Sequence, residues 1–172
     1  MPRLVKGGKH VYGWSEVGTA GKIAVPTEAL EEYNLKTPCK IFLLSGSKRS
    51  GGFALTTAAL LKNSRLSAIL DENPRLAEFQ YPEGKTITIA GKPCCWVKLT
   101  ADGCIAVPLE TLKKYGVNPG DLLLSVRGSR YALAFCVKGP LITEAKKHSN
   151  LTLFQQETCF LRKNLLALTA NM

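Results

Sequence analysis

The stretch Gly46-Ser47-Lys48-Arg49-Ser50-Gly51-Gly52 has the composition best suited in this chain to hold a phosphate. Glycines let backbone N–H groups approach an anion, and the lysine and arginine supply charge. It lacks the G-x-x-x-x-G-K-[ST] spacing and opens no obvious helix, so a glycine-rich hairpin turn is the simpler reading. The six cysteines are Cys39, Cys94, Cys95, Cys104, Cys136 and Cys159. None forms a C-x-x-C pair or stands at ligand spacing from His10 or His148, so neither a metal nor another cofactor is expected. They read as small buried hydrophobes in a reducing cytosol. Cys94-Cys95 is the exception to watch, because one of two neighbours on a strand points away from the core. No acid, base and nucleophile converge in the sequence, and the chain is not expected to be an enzyme.

Charge is the remaining chemical resource. The chain carries 23 Lys and Arg against 13 Asp and Glu, a formal net charge of +10. Such a balance suits contact with nucleic acid. The basic residues come in small groups rather than one run: Arg3/Lys6/Lys9, Lys48-Arg49, Lys62/Arg65, Lys113-Lys114, Arg127/Arg130, Lys146-Lys147 and Arg162-Lys163. With 172 residues and 45% apolar content the chain can bury a proper core. Its apolar stretches fall far short of the ~18 residues a membrane span needs, and no apolar segment follows the basic N-terminus as in a secretory signal. A soluble, cytoplasmic protein with no membrane contact is expected.

The elements that must position these residues occur twice. Trp14, Gly21, Ile23-Ala24-Val25-Pro26, Glu28, Leu30, Tyr33 and Gly46-Ser47 recur as Trp96, Gly103, Ile105-Ala106-Val107-Pro108, Glu110, Leu112, Tyr115 and Gly128-Ser129. The shift is constant at 82, from Ile23 to Ile105 as from Gly46 to Gly128. Two copies of a long unit are a duplicated and fused half, not a solenoid, which needs three or more short repeats. Such a fusion makes a pseudo-symmetric body where a relative would use a homodimer.

Each copy parses alike. A β-rich segment (His10 to Val17; Cys94 to Leu99) reaches a turn, and a short strand follows (Lys22 to Val25; Cys104 to Val107), which is a hairpin pattern. Pro26 or Pro108 opens a helix of about two turns, with Leu30 and Tyr33, or Leu112 and Tyr115, facing inward. Asn34 or Gly116 suits the left-handed conformation that ends a helix. An apolar strand (Ile41 to Leu44; Leu122 to Val126) then turns into a fourth (Phe53 to Leu55; Tyr131 to Leu133). On that alignment the last turn is longer in the first copy by four residues, since Phe53 and Tyr131 stand 78 apart rather than 82. Ala58 to Leu70 and Pro140 to His148 read as helices, Lys85 to Ala90 as a strand. Leu151 to Met172 reads either as a strand and helix packing back or as an arm to another subunit. Domain bounds of 1–83 and 84–172 follow, with one barrel core shared between them.

The run G-x-I-x-[IV]-P-x-E, a two-turn helix, [GN]-[IVL], then G-D and a strand hairpin resembles the AbrB/SpoVT family of regulators, whose swapped-hairpin fold is also that of MazE-type antitoxins. The residues that carry it are Gly21 to Glu28 with Leu35, and Gly103 to Glu110 with Gly116-Val117-Asn118-Pro119-Gly120-Asp121. It spans Trp14 to about Leu55 and Trp96 to about Leu133. The resemblance implies a mainly β, α+β fold: a pseudo-twofold swapped-hairpin β-barrel of two β-β-α-β-β repeats, plus flanking helices it does not explain.

It also implies a DNA-binding transcriptional regulator, contacting double-stranded DNA electrostatically with the hairpin and helix surface of the barrel. Candidate contacts are Lys22, Lys98, Lys113 and Lys114, supported by Arg3, Lys6 and Lys9; most would touch phosphate and fix position. The family's basic position after the glycine is Lys22 in one copy and Cys104 in the other. Lys113-Lys114 of the second copy correspond to Glu31-Glu32 in the first, where carboxylates repel phosphate. The alternative is therefore a protein-interaction or assembly module that keeps the barrel without DNA. Either a monomeric pseudo-dimer or a homo-oligomer fits.

Overall fold

The computed structural model describes residues 8–155 and 164–170. The first copy gives β1 (Val11–Glu16), β2 (Lys22–Ala24), α1 (Thr27–Glu32), β3 (Cys39–Ser45) and β4 (Phe53–Thr56). Three helical turns follow, α2 (Ala58–Leu61), α3 (Ala68–Asp71) and α4 (Pro74–Ala77), then β5 (Ile87–Ile89). The second copy gives β6 (Lys92–Leu99), β7 (Cys104–Ala106), α5 (Leu109–Lys114), β8 (Leu122–Arg127) and β9 (Leu133–Cys136). After it come α6 (Pro140–Ala145) and β10 (Leu153–Phe154), and residues 164–170 are helical. No helix among the described residues is long and apolar enough to cross a membrane.

Pro26 and Pro108 stand just before their helices rather than inside them. Their ψ angles of 137° and 141° are extended, and their carbonyls accept the first helical bonds, from the amides of Leu30 and Leu112. The single helix expected over 58–70 is instead broken. The Ser64 hydroxyl donates to the Leu61 carbonyl and accepts from the Leu66 amide, a local alternative that competes with helical bonding. Pro74 opens α4 rather than only ending what precedes it.

The strands form one ten-stranded sheet in the order β10-β1-β8-β9-β4-β3-β6-β7-β2, with β5 added beside β6. It curls into a nearly closed barrel, and β1 returns to within contact of β2. The first strand of each copy pairs with the third strand of the other. Trp14 opposes Leu124 and Glu16 opposes Leu122 across β1 and β8; Trp96 opposes Phe42 and Lys98 opposes Lys40 across β6 and β3. These registers are the same under the shift of 82, Trp14 to Trp96 and Phe42 to Leu124. Between β2 and β7, Ile23 faces its own counterpart Ile105. Gly21 closes this junction: its carbonyl accepts from the Val107 amide at 3.0 Å, and Gly103 accepts from Val25 at 2.9 Å. At φ +77° a side chain on Gly21 would set its Cβ 2.0 Å from the Val107 oxygen, so only glycine fits.

The fourth strand corrects the sequence alignment. Leu44 pairs with Ala54 and Val126 with Ala134, so Phe53-Ala54-Leu55 corresponds to Leu133-Ala134-Phe135 rather than to Tyr131-Ala132-Leu133. The first-copy turn is longer by two residues, not four, since Ala54 and Ala134 stand 80 apart. A two-residue slip keeps every side chain on its face, so the apolar pattern cannot detect it.

One central cluster draws on both copies, including Tyr12, Ile23, Ile41, Phe53 and Leu55 from the first and Val97, Ile105, Leu112, Tyr115 and Phe135 from the second. Tyr33 and Tyr115 turn inward as expected, but Leu30 is only half-buried. The flanking helices cover the outside of the barrel. The segment from α2 to α4 with β5 closes over Phe42, Leu44, Cys94 and Trp96. In the matching place, α6 closes over Val11, Leu124, Val126 and Cys136, with Trp14 beside them.

That outer layer overturns the expectation that one of Cys94 and Cys95 is exposed. Cys95 lies in the central cluster and Cys94 under the helical layer, so both faces of β6 are dry at this pair; Cys95 is 0% exposed and Cys94 3%. Burial pushes the Cys94 thiol up to about 12 and the Cys95 thiol up to about 11. The thiolate is the reactive form. In folded protein at pH 8 both are therefore expected to resist a disulfide-exchange reagent, and to react fully once the chain is unfolded in urea. Fast labelling of either in the folded state would contradict this burial. A second correction concerns Cys104, which is disulfide-bonded rather than a free buried thiol. Cys39, Cys94, Cys95 and Cys136 are free.

Candidate nucleic-acid interface

The two helices present unlike ends. α5 finishes on Lys113 and Lys114, both exposed, where a positive charge suits the negative helix end and Glu110 lies one turn before. Lys114 Nζ donates to Thr86 Oγ1 at 2.7 Å, which fixes that side chain beside the start of β5. The matching turn of α1 holds Glu31 and Glu32. Glu32 is not simply a solvated acid: Tyr12 donates its hydroxyl proton to Oε2 at 2.5 Å, and the Arg127 guanidinium lies 3.9 Å away. Burial, aided by the bond to Glu32, holds the Tyr12 phenol far above its usual range, so it remains a donor. The neighbouring Tyr33 phenol is pushed up to about 12, by burial first, and donates to the carbonyls of Ser129 and Ala132 at 2.7 and 3.0 Å. The cluster locks α1 onto the β8–β9 hairpin.

Lys22 and Lys98 flank the turn between β6 and β7. Lys22 Nζ lies 3.5 Å from Asp102 Oδ2, with the lysine side chain about a third exposed (34%) and the carboxylate nearly covered (10%). Its charge is partly spent inside the protein. Lys98 is exposed, directly opposite Lys40 in the antiparallel pair, an arrangement that repels. Lys40 is drawn aside by aromatic faces, its Nζ 5.0 Å from the Phe79 ring and 5.2 Å from the Trp96 ring. A carboxylate also approaches here, since the Lys98 amide donates to Glu83 Oε2 at 2.8 Å.

Lys9 does not join this group. Its Nζ donates to the Gly128 carbonyl at 2.9 Å, at the hairpin end of the barrel. Lys98 pairs beside the opposite end of β3. From Lys40 to Ser45, β3 alone spans roughly 17 Å at ~3.3 Å per residue. Arg3 and Lys6 lie outside the described residues. Of the seven candidates, then, Lys113 and Lys114 share one turn, Lys22 and Lys98 flank another, and Lys9 stands apart.

Lys40 is absent from the charges singled out in the sequence, and Arg127 enters there only as one of the basic groups, not as a partner of Glu32. Their roles depend on strand register and on a contact between α1 and the other copy's hairpin, neither of which leaves a local signal. Comparison with protein-family models, with curated proteins and with solved structures found no match.

Proposed function

We propose that the chain is a DNA-binding transcriptional regulator of the AbrB-like class, with both halves of a swapped-hairpin, pseudo-twofold barrel supplied by one polypeptide. The observation that carries the reading is the equal-register pairing of each copy's first strand with the other copy's third. It is what interlaced hairpins of two equivalent units require, and a lone unit of ~40 residues is too small to bury a stable core. The working surface is the second copy's: Lys113 and Lys114 on α5 engage phosphate, and Lys98 extends the contact. Lys22 contributes less because Asp102 already holds it.

A second reading rests on the acidic turn of α1. Exposed Glu31 beside the Glu32 cluster would repel DNA on that half and suits a basic protein partner instead. Glu31→Lys separates the two. It removes an exposed acid without touching the Tyr12–Glu32–Arg127 cluster, so the fold is expected to hold. On the DNA reading, a fluorescent duplex binds this variant more tightly than the wild type, with a steeper salt dependence. An unchanged affinity shifts the assignment to the protein partner.

A further inference from the structure

At the hairpin end of the barrel, away from the proposed interface, residues of both copies line an open-mouthed cavity of about 370 Å³. That is the size of a small-molecule site. Lys9, Arg49 and Lys138 all line it, and among the described residues no aspartate or glutamate does. None of the three has an ion-pair partner among the described residues. All three are exposed, and cationic side chains gathered at one concavity attract an anion. The rest of the wall is largely apolar, with Val126, Ala134 and Leu141 against the buried Cys136.

The cationic wall is a built one. Arg49 lies in the turn between β3 and β4, where the two extra residues of the first copy fall, and Lys138 follows β9. Gly51 donates to the Ser47 carbonyl at 2.8 Å, and the amides of Val137 and Lys138 both donate to the Ser50 carbonyl, at 3.0 and 3.2 Å. Gly139, at φ +102°, runs so close that a Cβ there would stand 2.7 Å from the Arg49 carbonyl oxygen. The hydroxyls of Ser47 and Ser50 are 2.8 Å apart. Ser50 also hydrogen-bonds Cys136, which ties this turn to the pocket wall.

We propose that this cavity binds a small organic anion, a carboxylate or phosphate monoester on a short apolar body. Arg49 and Lys138 hold the anionic group, and Val126 and Leu141 take the apolar body. The site is independent of DNA binding and stands or falls without it.

The test is a ¹⁵N–¹H NMR titration of the full chain with hexyl phosphate, hexanoate, inorganic phosphate, hexanol and hexylamine. The expected result is saturable shifts of the amides from Ser47 to Gly52 and of Val137 and Lys138 with one or both organic anions. The tighter of the two names the head group. Hexanol and hexylamine are expected to leave those amides unmoved, and inorganic phosphate to bind at least tenfold more weakly. Arg49→Gln with Lys138→Gln is expected to lower affinity at least tenfold while the remaining spectrum is unchanged. No saturable shift with either organic anion overturns the proposal, as does equal binding of hexanol or of inorganic phosphate. These comparisons need only the wild-type chain.

Discussion

Leu112→Ala is expected to destabilise the protein by roughly 2–5 kcal/mol, the usual cost of removing a fully buried leucine and leaving a cavity. Leu112 is 0% exposed and sits in the central cluster where α5 meets the turn of the other copy; a Cβ built on Gly21 would touch its Cδ1 at 3.4 Å. Small domains are stable by only about 5–15 kcal/mol, so the effect is a large share of the whole. The urea midpoint should fall with the slope of unfolding free energy unchanged. The counterpart Leu30 is half-buried. Leu30→Ala is therefore expected to cost clearly less, although the repeat makes the two positions look equivalent. A near-neutral midpoint for Leu112→Ala would show that α5 presents a different face to the core.

The second large effect is on binding. Lys113→Glu with Lys114→Glu turns the last turn of α5 into the charge pattern of α1, and neither lysine has an ion-pair partner among the described residues. Stability should fall only modestly, since both side chains are exposed, even though carboxylates replace cations at the negative helix end and the Lys114–Thr86 bond is lost. Affinity should fall for every duplex alike, because bonds to phosphate carry no sequence information. The slope of log affinity against log salt should flatten by about one unit for each phosphate no longer engaged, or about two in all. A weakening confined to one duplex sequence would mean that these lysines read bases instead.

The order of strands and helices in each copy is legible in the sequence because period-2 and helical patterns are local and the shift of 82 never breaks between Trp14 and Ser47. The fourth strand is misplaced by two residues because alternation is blind to an even slip. An exposed thiol at Cys94 or Cys95 follows only if a strand has one wet face. The layer formed by α2 to α4 folds back from elsewhere in the chain and dries it. Glu32 looks like a plain repulsive charge, yet Tyr12 and Arg127 reach it from 20 and 95 positions away. Lys22 is likewise discounted only once Asp102, in the other copy's turn, stands beside it. Local chemistry is readable along the chain, whereas the pairing of charges across the barrel is not.

The most direct test of DNA binding is the salt dependence of duplex association by the unmodified chain. Fluorescence anisotropy of a labelled duplex of about 20 base pairs should show association near 50 mM salt, where electrostatic attraction is strongest. Log affinity should then fall linearly with log salt concentration, with a slope of about −0.9 for each phosphate engaged. No detectable association near 50 mM salt, or an affinity indifferent to salt, would contradict DNA binding by this surface and leave a protein partner as the reading of the barrel.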